Sequence, residues 1–359
     1  MKKSLFGVAL LAAASAASAQ SSVTLFGVVD ARVALGRGSV ADRNQLASAG
    51  MNTPRLGVRG IEDLGGGMTA SFWLEGGLNT DDGQGAATNS NNQPSGIGAA
   101  VAGRQGLIFN RRSTVSLAST WGELRAGRDY MPQYWNLYYA DPFGNVGVAN
   151  PMPATYTFGG LTGYPGANVG VYASNTVSYF TPGGLGGFFG HVQYFFGENL
   201  KNGAATEKDG TGRGVRVGYA GGPIYASIAT GTTDYAVGNV RQSNAVATYD
   251  FGVAKVGAQI SRDKNGPVDG KGWLLGGWVP VGAGQVLASY SAYETNAAGK
   301  PEGKKLALGY AHHLSKRTAL YATWARLKNS GGASLALNGA VTAPNTSSNG
   351  LDLGIRHSF

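Results

Sequence analysis

The chain has 359 residues, 59 of them Gly and none Cys, with 14% charged residues and a formal charge of +9. Without Cys there is no disulfide framework and no thiolate metal site. After residue 19 no apolar run approaches the ~20 residues a membrane-spanning helix needs, and the mean hydropathy is -0.11, so a helical membrane protein is excluded. The basic residues are scattered and form no basic arm or helix, which argues against a nucleic-acid partner.

Residues 1–19 read as a cleaved signal peptide. Lys2 and Lys3 open it, Leu5 to Ala13 form a short apolar stretch, and Ala17-Ser18-Ala19 is a small-x-small site before Gln20. Removing the two lysines takes the charge from +9 to +7. Residues 20–359 are then expected to leave a bacterial cytoplasm.

From Ser21 apolar and polar residues alternate, as in a strand with two unlike faces. Val23, Leu25, Gly27, Val29 and Ala31 share one face; Thr24, Phe26, Val28, Asp30 and Arg32 share the other. Asp30 and Arg32 are therefore placed to pair with each other. A polar loop with Asp42, Arg43, Asn44 and Gln45 follows. Residues 53–63 and 68–78 resume the alternation around a Gly65-Gly66-Gly67 turn. Leu56, Val58, Met68, Ala70, Phe72 and Leu74 read outward; Arg55, Arg59, Thr69, Ser71, Trp73 and Glu75 read inward. A Gly/Asn/Asp-rich loop spans 80–104, with strands at 105–118 and 123–129.

The longest break spans about 130–172. It holds Pro132, Pro142, Pro151, Pro153 and Pro165, and prolines block a strand ladder, so it is not wall. A loop this long usually carries function. Strands then recur near 173–181, 187–197, 212–220, 223–232, 242–250, 252–262, 271–280, 285–294, 304–313, 317–327 and 350–359. Residues 271–280 and 317–327 do not alternate cleanly. The last strand puts Leu351, Leu353, Ile355, His357 and Phe359 on one face. An open edge there would aggregate, whereas a closed barrel pairs it with the first strand.

Short turns alternating with long loops, and about sixteen strands, define an all-β fold: a sixteen-stranded antiparallel transmembrane β-barrel around a water-filled bore. Tyr179, Phe180, Tyr194, Phe195, Phe196, Tyr219, Trp273, Tyr290, Tyr310 and Phe359 lie near strand ends, where aromatic girdles sit. An Arg facing the bilayer midplane costs ~2–4 kcal/mol, so Arg55 and Arg59 are expected in the bore, where they stay charged at any working pH. Catalysis fits poorly. His312 and His313 are strand neighbours pointing to opposite faces, so they cannot share a metal. His191 and His357 stand alone, and no Ser/His/acid set accompanies any of the four. The glycine turns precede no helix that would hold a phosphate. No cofactor is expected.

Four segments carry a family resemblance. Ser22-Val23-Thr24-Leu25-Phe26-Gly27-Val28-Val29-Asp30 resembles the first strand of general Gram-negative outer-membrane porins, especially those of betaproteobacteria. Arg55 to Gly67 is similar to their second strand and first turn. Trp121-Gly122-Glu123-Leu124 through Gly127-Arg128-Asp129-Tyr130 resembles the approach to their third loop, and Asp141-Pro142-Phe143-Gly144 its tip. The resemblance spans residues 20–359. It implies a homotrimer in the lipid bilayer, in contact with lipopolysaccharide, whose third loop folds inward as a constriction loop. It also implies an arginine ladder facing carboxylates on and near that loop. Residue by residue, Arg55, Arg59 and Arg128 match the basic side, Glu75 an acidic wall position and Asp141 the acidic loop position. Many relatives carry Arg after the loop, where this chain has Tyr172-Ala173-Ser174-Asn175; either part of the basic ladder is missing or Arg112 from a neighbouring strand replaces it. The expected function is passive diffusion of small hydrophilic solutes and ions with mild anion preference. The alternative is a surface protein working through its long loops, as an adhesin or receptor.

Overall fold

The computed structural model describes residues 22–85, 92, 108–157 and 170–359. The expected signal peptide, most of the 80–104 loop and the start of the 105–118 strand lie outside them. Seventeen strands form one sheet. In chain order they are β1 (Ser22–Arg37), β2 (Arg43–Ser48), β3 (Arg55–Gly65), β4 (Met68–Gly77), β5 (Arg112–Ser119) and β6 (Gly122–Tyr130). Helices α1 (Pro132–Ala140) and α2 (Met152–Thr157) follow. Then come β7 (Tyr172–Phe180), β8 (Phe188–Phe195), β9 (Gly212–Gly221), β10 (Ile224–Thr233), β11 (Val240–Asp250) and β12 (Lys255–Asn265). The last five are β13 (Val268–Val281), β14 (Gly284–Thr295), β15 (Glu302–His313), β16 (Thr318–Ser330) and β17 (Ser347–Ser358).

Every ladder is antiparallel. β2 and β3 both pair with β1, on its upper and lower halves, as Leu35↔Asn44 and Leu25↔Val58. They are two pieces of one stave, so seventeen strands make a sixteen-staved wall. The Asp42–Gln45 stretch, expected as loop, is therefore partly strand: its polar side chains hid a ladder that needs only backbone groups. β17 closes the wall against β1, with Val29 opposite His357 and Leu35 opposite Leu351. Gly27 and Phe359 exchange both backbone hydrogen bonds, at 3.1 and 3.0 Å. Closure leaves no unpaired edge, which a bilayer requires.

The two faces are unmistakable. Val23 is 68% and Ile260 64% exposed on the apolar exterior, while Asp30 and Asp352 are 0% exposed inside. Two aromatics expected in the girdles turn inward instead. Phe195 is 1% exposed and packs with Met131 and Ala173; Phe180 stacks on His191 at 4.0 Å. Strand parity decides this, since each follows an outward Tyr.

The hydrophobic core lies inside the bore, on one side. Phe143, Val148, Ala149, Met152 and Tyr156 of the β6–β7 loop pack on Leu287, Tyr293, Ala307, Ala325 and Leu327 of the inner wall. α1 lies chiefly against β9–β12 and α2 against β13–β15. The inner wall makes room with glycine. A Cβ on Gly276 would sit 2.6 Å from Pro142 Cδ, and one on Gly303 would sit 2.5 Å from Met152 Cε. Such contacts force something to shift, so the loop's fit depends on those missing side chains. This also explains why 271–280 and 317–327 alternate poorly. Burial along β16 does alternate, but its inward residues include Ala325 and Leu327, which are apolar because the loop covers them.

Candidate functional site

The loop is fastened by polar contacts along its length. Gln133 Nε2 donates to Gln242 Oε1 at 3.0 Å, and Asn244 Nδ2 donates to the Gln133 carbonyl at 2.9 Å. The backbone N–H of Val148 donates to Asp352 at 2.8 Å, that of Met152 to Ser291 Oγ at 3.0 Å. Lys305 Nζ donates to the Asn150 carbonyl at 2.6 Å. These bonds hold the described part of the loop against β9–β17, across the bore from the wall of β3–β6.

The wall of β3–β6 carries the charge. Parity in β3, β4 and β5 sends Arg55, Arg59, Trp73, Glu75, Arg112 and Thr114 to one face. Glu75 is the hub: Arg111 Nε reaches its carboxylate at 2.5 Å, Arg55 Nε at 3.7 Å, and Trp73 Nε1 donates to it at 3.0 Å. Asp129 is a second hub, 2.7 Å from Arg125 and 3.5 Å from Arg112; Arg125 also pairs with Glu123 at 2.8 Å. The Trp73 ring lies between two guanidiniums, Arg112 at 4.6 Å and Arg59 at 5.1 Å. Such stacking holds a cation without neutralising it. Among the described residues no carboxylate lies within ion-pair distance of the exposed Arg59.

The remaining sequence candidates sit elsewhere. Arg128 lies opposite an irregularity in the β6–β7 ladder. Its guanidinium is buried, donating to the Asn110 carbonyl at 2.5 Å and to Ser174 Oγ at 2.6 Å. Asp141 is buried in the loop tip, and its carboxylate accepts the N–H groups of Phe143 at 3.1 Å and Asn145 at 2.6 Å. It shapes the turn. The carboxylates paired with the arginines belong to the same wall as the arginines. Asp30 and Arg32 do not pair with each other. Asp30 accepts backbone N–H groups of Gly50, Met51 and Asn52 and the Tyr321 hydroxyl; Arg32 bonds Asp352. Residues two apart on a twisted strand each find a better partner on the neighbouring chain segment.

Arg111, Arg125 and Arg216 were missed. Arg125 shares the parity of Glu123, and Arg216 lies between outward Val215 and Val217, so alternation could have found both. Arg111 precedes its strand, and no periodicity marks it. Arg216 is buried on β9, donating to Asn136 Oδ1 of α1 at 3.0 Å, with its guanidinium 4.7 Å from the Phe189 ring.

A closed wall, apolar outside, with a bore narrowed from one side by a fastened loop and lined with arginine on the other, defines a transmembrane β-barrel channel. The chain belongs to the Gram-negative porin family, whose profile matches residues 7–332. It is 39% identical to outer membrane porin protein 32 of Delftia acidovorans, with all of both chains covered. A Bordetella pertussis outer membrane porin is 28% identical, also over all of both chains. The structure of an anion-selective porin from Comamonas acidovorans superposes with a TM-score of 0.81 at 36% identity, covering 95% of this chain and 100% of that one. The protein is therefore an outer-membrane porin.

Proposed function

We propose that this porin passes small hydrophilic solutes and ions passively, with a mild preference for anions, and catalyses nothing. One observation carries the selectivity. Among the described residues the β3–β6 wall sets five guanidiniums (Arg55, Arg59, Arg111, Arg112, Arg125) against three carboxylates (Glu75, Glu123, Asp129). The excess is positive, and wall charge of one sign sets ion preference. The Comamonas relative is described as anion-selective, which supports the same reading. In a KCl gradient across a planar bilayer the reversal potential should take the sign of chloride permeation; clear potassium preference overturns the proposal.

We further propose a homotrimer, as the family resemblance implies, and cleavage after Ala19. Unheated gel migration and N-terminal sequencing of the mature protein test these. The outer face supports a lipopolysaccharide contact. Arg213, Arg241, Arg262, Lys264, Arg326 and Lys328 are exposed on the outward faces of β9, β11, β12 and β16. They stand toward the long-loop end, beyond Ile260 and Trp324. Phosphates of outer-leaflet lipid would meet them there.

A further inference from the structure

The constriction loop does more than narrow the bore. Its first helix presents aromatic rings in a continuous run. Tyr134 stacks on Tyr130 at 5.1 Å, Trp135 lies 6.5 Å from Tyr138 and 6.3 Å from Tyr139, and Tyr139 stacks on Tyr225 at 4.5 Å. Most of the run is backed by wall or helix. The end is more open: Tyr225 covers one side of the Tyr139 ring, yet Tyr138 is 44% and Tyr139 38% exposed. Helix parity does not explain this, because two adjacent large rings face water while Asn136 and Leu137 are buried.

Both rings border a cavity of about 340 Å³ between the loop tip and the wall, lined also by Lys255, Trp278, Tyr321 and Asn52. That is in the size range of small-molecule sites, which are mostly apolar with a few convergent polar groups. Lys255 supplies the charge. Its ammonium lies 5.0 Å from the Trp278 ring centroid, and among the described residues no carboxylate lies within ion-pair distance of it. The cavity's own acid, Asp141, is already engaged by the N–H groups of Phe143 and Asn145. The site thus offers two exposed ring faces, a third ring and one cation without a counterion.

We infer that this cavity is a transient binding site for aromatic carboxylates on their way through the channel, the ring on Tyr138 and Tyr139 and the carboxylate on Lys255. The ring of such a solute can stack on exposed aromatic rings, and an ammonium–carboxylate hydrogen bond is stronger than a neutral one. The site is separate from the arginine wall, although it rests on the reading of the bore as a channel. It gives the pore a solute class beyond inorganic anions.

The test is current block of single channels in KCl by 2-naphthoate, with cyclohexanecarboxylate and acetate as equally charged controls. Naphthoate should block at lower concentration than either control. Lys255→Gln should raise the half-blocking concentration about tenfold, and Tyr138→Ala with Tyr139→Ala by a similar factor. Tyr138→Phe with Tyr139→Phe keeps the rings and should keep the block, which guards against simple misfolding of the loop. Equal block by all three acids, or undiminished block in both the Lys255→Gln and the double-alanine channels, overturns the inference. The KCl reversal potential without organic acid is read in the same membranes. A potassium preference there defeats the anion-preference reading and leaves the ranking of the three acids to decide this one.

Discussion

The two sides of the bore solve the same problem in opposite ways. The inward residues of the β3–β6 side are charged, paired and stacked: Glu75 with Arg55 and Arg111, Trp73 between Arg59 and Arg112. The β9–β17 side meets the loop; where the loop packs, its inward residues are glycine, small hydroxyls and apolar side chains against Met152, Tyr156 and Phe143, with Arg216, Lys305 and Asp352 bonding the loop between them. On the proposed reading one side filters and the other supports. The lesson is that an inner face takes its chemistry from what covers it, so the same strand parity yields Arg at one place and Leu at another.

Filling the glycine sites should break this contrast most strongly. Gly276→Val with Gly303→Val places side chains where Pro142 and Met152 now sit, at a cost of about 1–3 kcal/mol each. The loop should lift from the supporting side, and single-channel conductance should rise with added current noise. Next comes charge on the filtering side. Arg111→Gln with Arg112→Gln removes two of the five guanidiniums and should move the reversal potential toward potassium. Glu75→Gln frees Arg55 and Arg111 from their shared carboxylate and should move it the other way. Equal shifts of one sign in both variants would mean that local charge does not set the preference. The smallest effect is expected from Tyr321→Phe, which removes one of four hydrogen bonds to Asp30. It should lower stability by about 1 kcal/mol, seen in thermal unfolding in detergent, with selectivity unchanged.

The same contrast explains what was legible in the chain beforehand. Strand number and parity emerged where one face meets lipid and the other water, so Arg55, Arg59 and Glu75 could be placed inward from their neighbours alone, while Arg112 entered only through the family resemblance. Alternation faded along β13 and β16 because the loop turns their inner faces apolar, as at Leu274 and Leu327. The partners were illegible for another reason. Arg32 finds Asp352, 320 residues away, and no local pattern encodes such a pairing. Asp141 reads as an acidic loop position, yet only the folded turn shows both its oxygens occupied by backbone N–H groups. Arg111 stands just before β5, where alternation has not yet begun.

The pairing of β17 with β1 has a kinetic consequence. The two segments that join are the farthest apart in the described chain, so the ring is completed only after nearly all of it has been made and delivered. Until then β1 and β16 each expose a row of unsatisfied amides, and assembly dominated by such remote contacts is slow. An unfinished copy is therefore a sticky object, and its safe passage to the membrane calls for an escort that shields both rims until they meet.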